Sequence, residues 1–255
     1  MFNLYFTALK SLAIKETNRY LRIWVQTLVP PVITTSLYFV IFGKMIGGRI
    51  GDMGGFSYME FIVPGLIMMS AITSSYANVS SSFFSQKFQK NIEEILVAPV
   101  PTHVIIWGFV IGGVGRSILV GSLVTIISLF FVPLHVYSWF MVIITLLMTA
   151  ILFSLAGLLN GIFAQSYDDV SIVPTFVLQP LTYLGAFSMP SLCCRHFGKL
   201  YRSQSDRLYD LRFPLRIPWN DRCAVATSMI VLVLFIVVLY AVTWYLINKG
   251  RGLRS

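Results

Sequence analysis

Long apolar runs separated by short polar connections make up most of the chain. Six segments each hold close to the twenty mostly apolar residues with which a helix crosses roughly 30 Å of hydrocarbon. They lie near Trp24–Phe42, Phe61–Phe83, Val104–Phe131, Trp139–Phe163, Val170–Met189 and Ala224–Ile247. Strands of a membrane barrel would instead alternate in polarity over about ten residues. The pattern predicts an all-α polytopic membrane protein, with six transmembrane helices in one domain over residues 1–255.

The first 22 residues show a different pattern. Apolar side chains recur there at spacings of three and four, which predicts an amphipathic helix on the membrane surface. They are Phe2, Tyr5, Phe6, Leu9, Leu12 and Ala13. An irregular tail is the alternative that so short a window leaves open. No small-residue cleavage site follows a short apolar core, so this segment is not expected to be a signal peptide.

Composition excludes a soluble protein. Hydrophobic residues make up 56% of the 255 residues and charged residues only 11%. A soluble domain of this size could not bury so much apolar surface. All three cysteines, Cys193, Cys194 and Cys223, fall between the last two apolar runs, and their spacing fits neither a metal site nor an ordinary disulfide.

Basic residues at the two ends predict the topology. Six spans put both ends on one side, and the positive-inside pattern makes that side cytoplasmic. The basic residues concerned are Lys10, Lys15, Arg19 and Arg22 before the first span, and Lys249, Arg251 and Arg254 after the last. The connection with Lys87 and Lys90 then faces the cytoplasm too, in agreement with the same pattern.

The connection over residues 190–223 conflicts with that topology. It faces outward by the span count, yet it is the most basic connection of all, with Arg195, Lys199, Arg202, Arg207, Arg212, Arg216 and Arg222. An outer basic patch for anionic lipid or polysaccharide is one explanation. A shift of reading frame is the other, and it depends on what the remaining chain resembles.

The polar connection between the second and third spans reads SSFFSQKFQKNIEEILVAPVPTHVIIWG. An acidic residue followed by two apolar positions and Ala-Pro-Val resembles the coupling loop of type-2 ABC exporter permeases. The stretches RIWVQTLVPPVITTSLYFVIFG, GFSYMEFIVPGLIMM and FSLAGLLNGIFAQSYDDVSIVPTFVLQPLTYLG are similar to the same family. The resemblance covers Met1–Gly185 and the last span.

This resemblance implies a half-transporter in a bacterial inner membrane. Such a permease dimerises, contacts membrane lipids, and couples ATP hydrolysis by a separate cytoplasmic ATPase subunit to outward transport of a substrate. The substrate is left open among drugs, lipids, polysaccharides and haem-like molecules. Nucleic acid is not an expected partner.

The resemblance also assigns the first candidate site residues. Glu93 falls at the acidic position of the coupling loop, with Glu94 beside it and Pro99 in the following Ala-Pro-Val. A carboxylate on a short helix would there contact the ATPase. The alternative is a solvated helix face on which glutamate pairs with Lys90.

A second cytoplasmic connection, AQSYDDVS, contributes Asp168 and Asp169. Aspartate at a helix start ordinarily caps that helix, here the fifth span, and we favour this interpretation. Contact with the ATPase partner is the alternative.

Arg116 interrupts the third span, and a charge at that depth is expected to face the bundle or a wet cavity. It is a candidate for the translocation path or an interface. A structural ion pair or a bond to helix carbonyls is equally compatible with the sequence. Glu60, itself a candidate path residue, and Asn160 are the proposed partners.

Missing motifs limit the chemistry. The chain has no G-x-x-x-x-G-K-[ST] phosphate loop, so it is not expected to hydrolyse ATP, and ATP would be used by the partner subunit. No bound cofactor, metal or catalytic residue is expected. A secondary transporter driven by an ion gradient is the competing function, but it would favour buried carboxylates at mid-membrane. An intramembrane enzyme lacks the H-E-x-x-H and G-x-S-x-G motifs.

The family resemblance makes the frame of residues 186–223 testable. Family members carry an apolar hairpin there, with strings such as LPPFWQ, NPIVYMI and FRYGFLG. Synonymous codons for Cys193–Lys199, read from the third base, encode the first string. Codons for Gln204–Leu211, read from the second base, encode the second string. Those for Arg212–Trp219, read in the same way, encode GFRYGFL and the first two bases of a glycine codon. We infer frameshifts, and a sequencing error and a real lesion both stay open.

Resequencing the gene from genomic DNA across Tyr183–Val225 tests this inference. We expect three additional bases, which restore the apolar hairpin and remove the outward-facing arginines. Confirmation of the printed frame would contradict the frameshift and make the basic connection a genuine feature of the protein.

Overall fold

A computed structural model describes residues 2–41, 58–97, 100–131, 139–180 and 221–250. All regular structure in these ranges is helical, with no strand, as the sequence predicted. The helices are α1 (Phe2–Arg22), α2 (Trp24–Val40), α3 (Tyr58–Phe88), α4 (Asn91–Val97), α5 (Thr102–Phe131), α6 (Trp139–Phe163), α7 (Tyr167–Val173) and α8 (Asp221–Lys249). A π-helical turn, Pro174–Leu178, continues α7.

Within the described residues, three helices are each long and apolar enough to cross a membrane, and they run over Thr102–Phe131, Val142–Phe163 and Met229–Lys249. Leu4–Arg22 and Trp24–Val40 together make a fourth candidate if this pair, bent by 64°, counts as one span. Six spans therefore remain a prediction. Residues 181–220, which include the end of the fifth predicted span and most of the segment interpreted as frameshifted, lie outside the described residues.

The helix α3 occupies the centre of the bundle. It packs against α6 and α5 more extensively than any other described pair of helices packs together. Its buried side chains include several hydroxyl and amide groups, among them Ser75, Asn78, Ser80 and Ser82. A helix surrounded by protein can carry such groups because its neighbours supply hydrogen-bond partners. This polar content lowers the mean hydropathy of α3, which the sequence predicted to cross the membrane over Phe61–Phe83.

An apolar cluster fills the space between α3, α5 and α6. Phe83 packs edge-on against Phe109, with ring centroids 5.4 Å apart. Leu155, Leu158 and Ile162 complete the α6 side of the cluster and are almost fully buried. Because lipid tails are as apolar as these side chains, the cluster stabilises the bundle mainly through close van der Waals packing.

Glycines allow close contacts between helices. A Cβ atom at Gly157 in α6 would lie 2.5 Å from the backbone oxygen of Tyr76 in α3. On α5, a Cβ atom at Gly112 would lie 2.6 Å from Cβ of Glu16 in α1. Small residues let helix backbones approach this closely, which favours association in membranes.

The contacts of α1 show its direction relative to α5. Leu12, Glu16 and Tyr20 meet Gly108, Gly112 and Gly115 in turn. Residue numbers rise together on the two helices, so α1 runs alongside α5 in the same direction. The face that was predicted to lie on the membrane surface is therefore packed partly against protein. Its position relative to the membrane remains a prediction.

We expect Gly157→Ala to destabilise the bundle, because its new methyl group meets a backbone oxygen that cannot rotate away. Overpacking of this kind costs about 1–3 kcal/mol. The matched control is Gly121→Ala, whose Cβ atom would meet the flexible tip of Leu146 at 3.3 Å. Thermal unfolding in detergent should show a lower Tm for Gly157→Ala than for the control. Equal Tm values would contradict this account of the contact.

Candidate functional site

The short helix α4 has one anchored face and one exposed face. It follows a turn in which Lys90 adopts a left-handed backbone conformation with φ of 60°. The amide of Glu93 donates to the carbonyl of Lys90 at 3.2 Å. Ile92 is 1% exposed and belongs to the central apolar cluster. Glu93 and Glu94 are exposed on the first turn.

The two carboxylates of α4 have no partner within the described chain. Neither Glu93 nor Glu94 forms an ion pair or a side-chain hydrogen bond with another described residue. The proposed pairing with Lys90 is therefore not formed here. Both charges are available to another molecule, and negative charge in a first turn is favourable for the helix itself. Pro99, the third residue of this candidate group, lies outside the described residues.

A cavity of about 330 Å³ separates α4 from α1. Lys15 of α1 and Glu94 of α4 both line it, together with apolar side chains that include Leu12, Ile95 and Ile105. The exposed acidic helix therefore lies next to the N-terminal helix as well as to the start of α5.

The second cytoplasmic connection begins α7 with a capping box. The Ser166 hydroxyl accepts from the amide of Asp169 at 3.2 Å, and the Asp169 carboxylate accepts from the amide of Ser166 at 2.9 Å. The Asp169 carboxylate also accepts from the amide of Gln165 at 3.0 Å. These backbone donors hold the pKa of Asp169 below its usual value. The cap residue is Ser166, and Asp169 supports it from the third helical position.

Asp168 differs from its neighbour. It is exposed and has no side-chain hydrogen bond or ion pair with another described residue. Asp169 therefore stabilises the start of α7. Contact of either aspartate with an ATPase partner remains a prediction.

Lys87, near the end of α3, bonds to the end of α6 and so links the connections that follow these two helices. Its ammonium group donates to the carbonyls of Ile162 and Ala164, at 2.8 and 2.9 Å, where α6 ends. A cation at a helix C-terminus satisfies carbonyls that lack helical partners and interacts favourably with the helix dipole. Burial lowers the pKa of Lys87 from its usual value, because the charged form loses hydration.

Aromatic rings bring the same connections together. Tyr167, the first residue of α7, packs against Phe84 and Phe88 near the end of α3, at centroid distances of 4.8 and 5.2 Å. The acidic first turns of α4 and α7 therefore lie at the same end of the bundle. We name Glu93, Glu94, Asp168 and the exposed Phe88 the coupling surface.

Arg116 does not pair with Asn160, one of the two partners proposed for it, and the side chain of the other, Glu60, is outside the described part of the chain. Its Nε atom is buried and has no hydrogen-bond partner among the described residues. Asn160 instead donates to the Ser80 hydroxyl at 3.0 Å and the Val170 carbonyl at 3.1 Å. The Ser117 hydroxyl bonds the Ala71 carbonyl. Glu60 lies eleven residues before Ala71 on α3, which is about 16 Å along the helix from the level of Arg116.

Glu16 is the buried charge that sequence reasoning missed. Its side chain is 0% exposed, and its carboxylate accepts from Ser82 at 2.7 and 2.8 Å and from Gln86 at 3.1 Å. Arg19 donates to it at 3.3 Å. The available signal was position: Glu16 follows Leu12 by four residues and so shares the face that the N-terminal pattern predicts to be apolar.

These apolar helices and their acidic connections define a membrane protein, and comparison with known families gives its class. The chain belongs to the ABC-2 type transporter family, whose model matches residues 7–192, more than half of its length. It is therefore a membrane permease of that transporter class.

Individual relatives extend the match over the whole chain. The chain is 59% identical over 256 residues to the inner membrane transport permease YadH of Escherichia coli K12, covering 100% of both chains. The YadH permease of Shigella flexneri shows the same values. Nodulation protein J of Azorhizobium caulinodans is 24% identical over 177 residues, covering 66% of this chain and 70% of that protein. No solved structure matches the chain significantly.

We expect Lys87→Met to destabilise the junction of α3 with α6, because it leaves two carbonyls without their charged donor. Hydrogen bonds to charged groups contribute about 1.5–3 kcal/mol each. The control is Lys90→Met, which removes an exposed charge from the next turn. Thermal unfolding should show a clear loss of Tm for the first variant and little change for the second. An equal loss of Tm in both variants would contradict the role of Lys87 in joining α3 to α6.

Proposed function

We propose that the chain is the permease subunit of an ATP-driven exporter in a bacterial inner membrane. Membership of the ABC-2 type transporter family supports a partnership with a separate ABC ATPase subunit. The high identity to a permease named for the inner membrane supports that location. Outward transport, the orientation with both termini in the cytoplasm and the formation of a homodimer in contact with membrane lipids are parts of the proposal.

The main observation behind the proposal is that α4 has one buried face and one exposed, acidic face. Glu93 and Glu94 are exposed and have no partners in the described chain, while Ile92 is held in the apolar cluster. A force applied to the exposed carboxylates is therefore transmitted to α3, α5 and α6, because the cluster joins these helices. ATP binds and is hydrolysed on the partner, and this chain supplies the surface that receives the motion.

The second connection would respond together with the first. Lys87 holds the end of α6, and Tyr167 packs on α3. A displacement of α4 thus reaches α7 through short, hydrogen-bonded and aromatic contacts. In the proposed mechanism, closure of the ATPase moves both connections as a unit and alters the helix packing, which opens a path for the substrate.

A transporter driven by an ion gradient remains the competing function. Its main requirement is a buried carboxylate, and Glu16 is one. That carboxylate is already hydrogen-bonded to Ser82 and Gln86 and paired with Arg19, an arrangement that anchors a helix. The ATPase partner separates the two functions by experiment.

We expect Glu93→Arg to lose the ATPase during co-purification of the permease from its own membranes, because the substitution puts a cation where the partner meets an anion. Asn18→Arg adds a positive charge at an exposed position of α1, outside the coupling surface, and serves as the control. The measurement is the amount of ATPase subunit, and of ATP hydrolysis, retained with each variant.

Retention of the ATPase by the wild type and by Asn18→Arg, with its loss from Glu93→Arg, is the expected pattern. Wild-type permease that retains no ATPase would contradict the proposed function. Retention by Glu93→Arg with normal hydrolysis would contradict the role of Glu93.

A further inference from the structure

Two exposed aromatic rings lie at the end of the bundle that carries the coupling surface. Phe88 is the last residue of α3 and is 63% exposed, and Tyr167 is the first residue of α7 and is 54% exposed. Their ring centroids are 5.2 Å apart. Large apolar side chains that are exposed together beside charged residues indicate a binding surface. We call Phe88 and Tyr167 the aromatic pair.

Buried and hydrogen-bonded groups hold the aromatic pair in position. Phe84, which is 2% exposed, packs edge-on against Tyr167 at a centroid distance of 4.8 Å and lies 6.1 Å from Phe88. The capping box at Ser166 stabilises the start of α7, and Lys87 binds the carbonyls at the end of α6. Rings that are already ordered lose little conformational entropy when a partner binds, so they are suited to anchoring one.

Unpaired carboxylates accompany the two rings. Asp168 follows one ring directly in the sequence, and Glu93 and Glu94 lie on the first turn of α4, the helix that follows the other ring. All three are exposed, and none forms an ion pair or a side-chain hydrogen bond with another described residue. Lys90 adds one exposed cation, so the described exposed residues beside the aromatic pair carry a net negative charge.

Rings and charges together indicate what kind of molecule binds this surface. Aromatic residues of membrane proteins often contact lipid head groups, but the net negative charge beside these rings would repel anionic lipids. The same charge attracts a protein that carries basic side chains. In protein interfaces, a few central aromatic residues contribute most of the binding energy, and the charges around them guide the approach of the partner. The surface therefore fits a protein with an apolar pocket and a basic border.

We propose that Phe88, supported by Tyr167, is the main anchor for the ATPase subunit, which presents an apolar pocket bordered by lysine or arginine side chains. The inference rests on the proposed function, because it takes the ATPase as the partner that meets this end of the bundle. Insertion of the phenyl ring slows dissociation of the complex. The carboxylates of the coupling surface instead speed association and make it sensitive to salt. Because the two rings come from α3 and α7, one pocket would hold both cytoplasmic connections.

Binding kinetics with purified components test the anchor. The full chain is immobilised in nanodiscs, and the ATPase subunit that co-purifies with the wild type is supplied in solution at low and high salt. We expect Phe88→Ala to raise the dissociation rate about 20- to 30-fold, the effect of removing an interface hot spot, with the salt dependence of association unchanged. Asp168→Asn should lower the association rate at low salt and change dissociation less than about twofold. The matched control is Phe130→Ala, which removes an 84% exposed ring near the far end of α5 and should change neither rate.

A contact of the same ring with lipid is detected separately. A polarity-sensitive fluorophore is attached to Phe88→Cys after Cys193, Cys194 and Cys223 have been replaced by serine. We expect weak quenching by spin-labelled lipids, and a shift of the emission to shorter wavelength when the ATPase subunit is added. Strong quenching by the lipids in the absence of the ATPase would assign Phe88 to the membrane and overturn the proposal.

The outcomes separate the anchor from the proposed function. Wild-type permease that binds no ATPase would contradict the proposed function itself. Binding by the wild type that Phe88→Ala leaves unchanged would overturn the anchor alone, and so would equal losses in Phe88→Ala and Phe130→Ala. A second variant, Phe88→Leu, keeps an apolar side chain and should recover part of the affinity, whereas a dissociation rate as high as that of Phe88→Ala would contradict the apolar pocket.

Discussion

The fully buried carboxylate of Glu16 imposes the strongest constraint on this structure. A charge removed from solvent is tolerated only when it is paired and hydrogen-bonded, and losing one partner of such a group typically costs 3–5 kcal/mol. Ser82 and Gln86 on α3 and Arg19 on α1 meet that requirement together. Gly112 lets α5 approach the same side chain closely. The network therefore fixes α1 against two core helices, and the position of α1 sets the space beside α4.

One feature of the site follows from that arrangement. The acidic helix α4 lies next to both the core and α1, so the coupling surface is exposed while the buried face of α4 contacts the bundle. The cavity lined by Lys15 and Glu94 lies between α1 and α4. A change in the packing of α1 would therefore be felt at the surface proposed to meet the ATPase.

Much of the fold could be predicted from sequence because apolar periodicity and length decide it. Trp139–Phe163 was predicted with the bounds that the structure gives, and the family resemblance was confirmed. Side-chain partners could not be predicted in this way. Asn160 was proposed to pair with Arg116, but it bonds Ser80 and Val170, because helix register decides which polar groups meet. Glu16 looked like one more charge in a basic N-terminal segment, since its partners lie about seventy residues away in sequence.

Disulfide trapping between α1 and α5 tests the central claim that the N-terminal helix is held along α5. Cys193, Cys194 and Cys223 are first replaced by serine, and cysteine pairs are introduced at Leu12 with Gly108 and, as the control, at Leu12 with Ile111, which is exposed on α5. Mass spectrometry of oxidised membranes measures the linked peptides. The account predicts efficient linkage for the first pair, little for the control, and a lower yield for the first pair in a Glu16→Ala background. No linkage at Gly108, or equal linkage for both pairs, would contradict it.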